Sequence, residues 1–596
     1  MSAEIKIENG DSDGDNVQFT KPLVEPLSWT MRLIASDSFN APMAIEYLHI
    51  LHDKASLSKL GKRLFYLPAN EVDFFLPQLM YMYVNKIDAA SVSHAYIESR
   101  NQDNPQFSIL CSWLLDCYIP AVLPGKLPNH AMMLRGMMRN DSALYEIKPL
   151  EASENINECG VQPLSEVPTT SELINFEHRF VERLTTIGRK LAIAHLADSK
   201  HKKMSALKLE LQLLNNMLPA PVWIPFAEDH YILQICYEES SVLNSKDKVP
   251  YIMFAEVLRS SERSKIKIPH KKSTEMEKNN AGTPTKVKFY HDTSDPSAAV
   301  FAESWHDKRE RIRACSNYGG YDEWDLIPVI VKYGDDLTQE SFAQQLLQTF
   351  KDLWREEGVP LYVRPYKIVC VGPEAGLIEP VLDTLSLHQI KRHLTNVFRQ
   401  KGIPLTPTLR NHFEDMFGPP GSERYVNAQK NFIQSTAAYS LISYFLQLKD
   451  RHNGNILLDL EGHLIHIDYG FLLSSSPRNL GFETAPFKLT TELIDVMGGY
   501  DSDMFLYYKS LLLRGLMAAR KHHRRIVSLA EIMSNGSKMQ CFRAGPETVR
   551  SLEARFHVSS TDEQLQQLVD ALVDGSRDSY TTRFYDSFQY YTNGIH

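Results

Sequence analysis

Residues 448–471 read LKDRHNGNILLDLEGHLIHIDYGF, from Leu448 to Phe471. The stretch sets Asp450, His452 and Asn455 in one short polar segment, follows it with a hydrophobic hairpin pattern, and closes on Asp468, Tyr469 and Gly470. These residue types suit the transfer of a phosphoryl group. That reaction asks little covalent chemistry of a protein. It needs a group to orient or deprotonate the attacking hydroxyl, and hard oxygen ligands to hold Mg²⁺ on a nucleotide. Asp450 or His452 can do the first, and Asn455 and Asp468 the second. Asp450 is the first candidate for the base, with His452 as a competitor able to take a proton near neutral pH. The rival reading is a metal cluster of His463, His466 and Asp468. In an extended chain, period 2 puts His466 and Asp468 on one face with Leu464 and turns His463, Ile465 and Ile467 to the other, which argues against a three-ligand zinc site.

At 596 residues the chain is too long for one core and predicts two to four domains. Its charged fraction of 23% and hydrophobic fraction of 43% are those of a globular protein. Lys and Arg number 64 and Asp and Glu 73, a net charge of −9, so no general basic field draws the protein to nucleic acid or to anionic membrane. Membrane contact must therefore be local. The seven cysteines form no CxxC pair, which predicts reduced thiols in a cytoplasmic protein. Neither a signal peptide nor an apolar run long enough for a transmembrane helix is expected.

The composition divides the chain. Residues 1–22 read as a disordered acidic tail. Residues 23–143 carry helical apolar spacing, as at Ala44, Ile45 and Leu48 or Val72, Phe75, Leu76, Leu79 and Met80, with breaks at Phe39-Asn40, Pro68-Ala69 and Asn101 to Pro105. The pattern predicts antiparallel helix pairs in a short α-solenoid-like domain. Residues 144–171 shift to Glu, Ser, Thr, Asn and Pro and read as a linker. From 172 to 378 two helices precede strand-like runs at Tyr231–Tyr237 and Tyr251–Leu258. A flexible basic insertion at 259–290 interrupts them; nine Lys or Arg stand against three Glu between Arg259 and Lys288. Residues 379–596 complete the chain and end in an amphipathic aromatic helix. Lys332 ends the apolar run Leu326–Val331, where a strand residue can point an ammonium into a cleft, and Glu340 stands eight residues on at the start of a helix.

The order DRHxxN, followed thirteen residues later by Asp-aromatic-Gly, resembles the phosphoinositide kinases and their protein-kinase relatives. VIVKYGDDLTQE, Val329 to Glu340, looks like that family's strand lysine and following helix. PYKIVCVGPEAGLIEPV, Pro365 to Val381, looks like its strand and hinge, and NEVDFFLPQLMYMYV, Asn70 to Val84, like its accessory helical domain. Within the family, GFLLSSSPRNLGFETAPFKLTTE and the ending DGSRDSYTTRFYDSFQYYTNGI are similar to the type III phosphatidylinositol 4-kinases. The resemblance implies an α+β chain: the helical domain, then a bilobal lipid-kinase domain with a β-rich small lobe and a mostly helical large lobe. It implies ATP and Mg²⁺, with Mn²⁺ as an alternative ion. Lys332, Tyr366 and the backbone of Glu379 and Val381 would contact ATP, with Ser297 in a phosphate loop that lacks a glycine-rich motif. Asn455 and Asp468 would hold the metal.

The implied reaction is phosphorylation of phosphatidylinositol at the 4-hydroxyl on Golgi membranes. Between Asp468 and Thr490 the only cations are Arg478 and Lys488, which suits a singly charged headgroup and not a polyphosphorylated one. The alternatives are a class III phosphatidylinositol 3-kinase and a protein kinase of the related large-kinase family. The resemblance further implies recruitment by a Rab GTPase, a Golgi adaptor protein, a Ca²⁺-sensor protein and 14-3-3, and no nucleic-acid partner. Phe584, Tyr585 and Phe588, on the helical stripe that continues to Tyr591, are the expected membrane contact unless the stripe packs on the large lobe, and the basic run Arg520–Arg525 either supplies local attraction or is a solvated helix face. Shortening the chain before Arg583 is accordingly expected to cost activity on vesicles more than lipid-free ATP hydrolysis.

Overall fold

The strand Tyr251–Arg259 shows how the sequence builds the small lobe. Its first eight residues are all buried, because it lies between two neighbours and is covered on both faces. Tyr251, Met253, Ala255 and Val257 enter one apolar cluster, and Ile252, Phe254 and Leu258 the other. Glu256 is the polar exception, and its carboxylate accepts the Trp324 indole N–H at 2.9 Å and the Gln234 amide at 2.7 Å. The computed structural model describes residues 28–119, 129–139, 170–196, 198–227, 229–243, 245, 248–260, 303–476, 485–577 and 579–595. Ser297, Arg478, the tail 1–22, nearly all of the linker and nearly all of the basic insertion lie outside them.

The small-lobe sheet comprises β1 (His230–Ile235), β2 (Ser241–Val242), β3 (Tyr251–Arg259), β4 (Trp324–Tyr333), β5 (Ile368–Gly372) and β6 (Ala375–Ile378). It is antiparallel, in the order β1-β3-β4-β6-β5 with β2 against β3. Helices Thr170–Ala194 and Lys200–Leu214 cover one face. The sheet carries Lys332 near the end of β4. The cleft helix Thr338–Glu356 follows, with Glu340 in its first turn. Asp336 Oδ1 accepts the Thr338 N–H at 2.9 Å and its hydroxyl at 2.6 Å, which satisfies the helix's first turn.

The large lobe is organised by the helix Glu423–Leu446, which is buried on nearly all sides from Phe432 onward, the hydroxyls of Ser435 and Thr436 turned back to carbonyls of their own helix. Ser422 caps its start, and Gln447 ends it in the left-handed region with φ 50°. The chain leaves that end directly into the loop of Asp450. A second sheet, β7 (Thr384–Ser386), β8 (Ile456–Asp459) and β9 (Leu464–His466), fixes the other side of the loop.

Among the described residues, eight α-helices between Trp29 and Arg139 form the N-terminal module. Its apolar side chains are continuous with those of the cleft helix and the large lobe. Gln78 and Gln345 exchange amide hydrogen bonds of 2.6 and 2.9 Å across the seam, and the Tyr81 hydroxyl donates to the Asn535 carbonyl at 2.7 Å. The class is α+β: a helical region, then a two-lobed domain with a small sheet lobe.

The basic run Arg520–Arg525 is a correction. Arg520 pairs with Asp562, Lys521 and His522 with Glu357, Arg524 with Glu46 and Glu531, and Arg525 with Glu356. Its charge is neutralised within the protein, and it offers no open patch to an anionic surface.

Candidate functional site

Four parts of the chain meet between the lobes: the end of β4, the cleft helix, the loop 448–455 and the segment 466–471. Lys332 Nζ stands 3.2 Å from Asp335 Oδ2 and 3.3 Å from Glu340 Oε1. Burial works against its charge, yet the carboxylates of Glu340, Asp335 and Asp468 hold the ammonium above the ordinary lysine range. Burial likewise raises Glu340, and Lys332 opposes it. The spacing of eight residues that joins Lys332 to Glu340 in sequence thus closes an ion pair at the rim of the cleft.

The loop is held by its own side chains. Asn455 Nδ2 donates to the Asp450 carbonyl at 3.0 Å, and its N–H to the His452 carbonyl at 2.9 Å. Arg451 is buried. Its guanidinium donates to the carbonyls of Lys449 at 3.0 Å and Ile467 at 2.8 Å, and also to that of Asp468. One side chain therefore ties the loop to the aspartate segment. Asp450 and Asp468 each adopt φ 63°, a region that non-glycine residues rarely enter and that clusters at functional sites. The bonds from Asn455 and Arg451 to their carbonyls hold them there. Gln339 of the cleft helix adds a third brace, donating to the carbonyls of Tyr469 at 3.3 Å and Gly470 at 2.6 Å.

His452 Nε2 faces Asp450 Oδ1 at 3.9 Å, while its Nδ1 accepts the Gly454 N–H at 3.1 Å. Nδ1 is thus an acceptor, and the neutral ring carries its proton on Nε2. Burial holds His452 below the ordinary histidine pKa, with the Asp450 carboxylate pulling the other way. Asp450 Oδ1 also accepts the hydroxyl of Tyr585, which in turn accepts from Gln589 Nε2 at 2.5 Å.

The other sequence candidates fall in different places. Tyr366 lies buried behind the cleft, its hydroxyl accepting the Asp468 N–H at 3.4 Å. At the hinge the Glu379 N–H donates to the Lys367 carbonyl at 2.9 Å, and the Val381 carbonyl accepts from Thr384 Oγ1 at 3.0 Å. His463 stacks on Tyr362 at 3.7 Å and pairs with Asp459, while His466 is buried against Tyr439 at 4.7 Å. Among the described residues no group of three or more His, Cys, Asp or Glu is arranged to hold a metal ion.

Two expectations are corrected. Lys488 does not face solvent as a headgroup cation: it is buried, and it donates to Asn453 Oδ1 at 2.9 Å and Asp586 Oδ1 at 2.7 Å. Tyr585 is not a membrane contact: it is 4% exposed and bonded to Asp450, whereas Phe584, Phe588 and Tyr591 are 54%, 40% and 84% exposed. The helix Tyr580–Asn593 has two faces at helical spacing: Thr582, Tyr585 and Gln589 turn inward, and Phe584, Phe588 and Tyr591 outward. The sequence reading also passes over Arg451, Gln339 and Asp586. Arg451 and Gln339 carried a signal, from their places inside DRH and GDDLTQE; Asp586 carried none.

A strand lysine paired to a helix glutamate above a loop of Asp450 and Asn455 that abuts Asp468 defines the cleft of a two-lobed kinase. Comparison with known proteins agrees. Residues 326–537 match the family described as phosphatidylinositol 3- and 4-kinase, and residues 43–116 match the accessory (PIK) domain of the PI4KB/PIK1 family. The phosphatidylinositol 4-kinase beta of Xenopus tropicalis is 36% identical over 690 residues, covering 95% of this chain and 84% of the relative. Those of Mus musculus and Homo sapiens are 36% identical over 707 residues with the same coverage. The chain belongs to the phosphatidylinositol 4-kinase beta family.

Proposed function

We propose that the protein transfers the γ-phosphoryl group of ATP to the 4-hydroxyl of phosphatidylinositol. The observation that carries this reading is the convergence of Lys332, Asp450, Asn455 and Asp468 on one cleft in a chain of this family. The donor set fits a hard divalent ion. Asn455 turns its amide nitrogen to the Asp450 carbonyl, leaving its oxygen as the ligand atom, and Asp468 supplies an exposed carboxylate. Asn455 and Asp468 would hold Mg²⁺, or Mn²⁺ in its place; the bound ion supplies neutralisation of charge on the phosphate oxygens.

Lys332, kept charged by Glu340, offers its ammonium to the nucleotide phosphates. Tyr366, expected as an ATP contact, is buried, and its role in this reading is instead to orient Asp468 by accepting its N–H. At the hinge the Glu379 N–H is engaged and Pro380 has none, so adenine meets the Val381 N–H and the Glu379 carbonyl. Asp450 accepts the proton of the attacking hydroxyl. His452, with its proton on Nε2 and its Nδ1 engaged by Gly454, acts as a hydrogen-bond donor beside it. The accessory module, small lobe and large lobe follow the divisions 23–143, 172–378 and 379–596.

The same proposal has the enzyme working peripherally on Golgi membranes, with a Rab GTPase, a Golgi adaptor protein, a Ca²⁺-sensor protein and 14-3-3 as recruiting partners; its support is the family alone. Among the described residues no helix is long and apolar enough to cross a membrane. The outward face Phe584, Phe588 and Tyr591 is the membrane-contacting surface, with aromatic bodies suited to the headgroup boundary. Replacing those three by serine should lower turnover on phosphatidylinositol vesicles roughly tenfold or more while leaving lipid-free ATP hydrolysis and the melting temperature nearly unchanged. Truncation before Arg583 should abolish both activities, because it removes the partners of Asp450 and Lys488. A truncated chain that still hydrolyses ATP at the native rate would show that the inward face has no part in the site.

The direct test of the reading is turnover of phosphatidylinositol vesicles with ATP, lost on chelation of divalent ions and restored by Mg²⁺.

A further inference from the structure

Lys488 stands where three pieces of chain meet. Its side chain is 4% exposed, and its ammonium donates to Asn453 Oδ1 at 2.9 Å and to Asp586 Oδ1 at 2.7 Å. Asn453 directly follows His452 in the catalytic loop, and its carbonyl accepts the His388 N–H at 3.0 Å. Asp586 directly follows Tyr585, whose hydroxyl donates to Asp450. One ammonium therefore joins the segment between Asp468 and Thr490, the loop 448–455 and the C-terminal helix. Both ends of the bridge lie next to residues of the reaction.

The energetics make this bridge hard to exchange for a ligand. A buried ammonium is tolerated where a carboxylate and further acceptors surround it, and removing one partner of such a pair leaves an uncompensated charge. Two of the three N–H donors of Lys488 are engaged by Asn453 and Asp586, so a headgroup phosphate would have to share the ammonium with a carboxylate already paired to it. With the clamp closed, the C-terminal helix is fixed at Asp586, one residue from the tyrosine that meets Asp450. The catalytic loop is fixed at Asn453, between His452 and Asn455.

We propose that Lys488 is a positioning residue for phosphoryl transfer. It pins the Asn453 side of the catalytic loop to the C-terminal helix, so that Asp450 is presented in one geometry, and it takes no part in binding the headgroup phosphate. The proposal rests on the kinase reading above. A small misplacement of a reacting group costs turnover while leaving ground-state binding largely intact.

The test is steady-state kinetics on phosphatidylinositol vesicles with ATP for the full chain and for Lys488→Met, Asp586→Asn and the double variant. Each single change should lower kcat roughly 10- to 100-fold, with KM for lipid and for ATP within about twofold of native. The double variant should be no slower than Lys488→Met, because the two side chains act as one unit. Three results would overturn the proposal: a rise in lipid KM at native kcat, which makes Lys488 a headgroup ligand; losses that multiply in the double variant; or native kcat in Asp586→Asn. The last applies even where Lys488→Met does not fold, since Asp586 is 29% exposed and its change to the near-isosteric amide is mild. Failure of the unaltered chain to phosphorylate the lipid would count against the kinase reading itself and is thereby kept apart from failure of the clamp.

Discussion

Asp468→Ala should lower lipid phosphorylation on the order of 10³-fold or more, since it removes the carboxylate that would hold the divalent ion on the nucleotide. The fold should survive the change. Asp468 is exposed, and its side chain makes one local bond, accepting the Gly470 N–H at 3.2 Å. The segment's attachment runs instead through its backbone, by way of Arg451 and Tyr366. The melting temperature without nucleotide should therefore match the native chain. ATP with Mg²⁺ should raise it in the native protein and much less in the variant, because a ligand stabilises only the state that binds it. Asn455→Ala should abolish activity too, but it is not so clean. Asn455 is 7% exposed and braces the left-handed Asp450, so its loss disturbs the loop as well as the metal site. Near-native turnover in Asp468→Ala would remove the basis of the metal assignment.

Asp450→Asn should cost 10²- to 10⁴-fold in kcat, the range of a lost general base. His452→Ala should cost less. The reason is the tautomer: the Gly454 N–H points at Nδ1, so Nε2, the nitrogen that faces Asp450, already carries the proton and cannot accept another. The pH profile carries the same information. A histidine whose folded pKa is lowered by burial stays neutral as pH falls through the ordinary value of 6.5 and protonates only below it. Activity should thus remain flat from pH 8 through 6.5 and fall only at lower pH. A break at or above 6.5 that disappears in His452→Ala, together with retained activity in Asp450→Asn, would reverse the two roles.

The placement of Asp450, His452, Asn455 and Asp468 around one cleft is readable from sequence because the chemistry needs those residue types and one short loop and hairpin supply them all. Lys332 and Glu340 are readable for the same reason, the turn of Gly334 to Leu337 carrying a strand end directly into a helix. β3 is readable as a strand from its apolar run, which only Glu256 interrupts before Arg259. What the sequence hides are partners far apart in the chain. The 98 residues between Lys488 and Asp586, and the 135 between Asp450 and Tyr585, leave no periodic trace. A lysine between Asp468 and Thr490 therefore reads as a substrate contact when its partners lie within the chain. The run Arg520–Arg525 misleads in the same way, since Glu46, Glu356 and Glu357, which neutralise it, are supplied by two distant helices. In the C-terminal helix the ambiguity is of another kind. Both faces are aromatic, and Tyr585 differs from Phe584 and Phe588 in pattern only through its alignment with Thr582 and Gln589.

The charge between Asp468 and Thr490 leaves the 3- and 4-hydroxyls of inositol electrostatically equivalent, so the position of the transferred phosphate is the most direct test. Purified protein with phosphatidylinositol vesicles, Mg²⁺ and ATP labelled at the γ-phosphate, the labelled lipid then deacylated and its headgroup resolved by phosphate position, measures it directly. The account predicts label on the 4-position alone, absent with Asp468→Ala. Label on the 3-position, or transfer to protein with none to lipid, would contradict it.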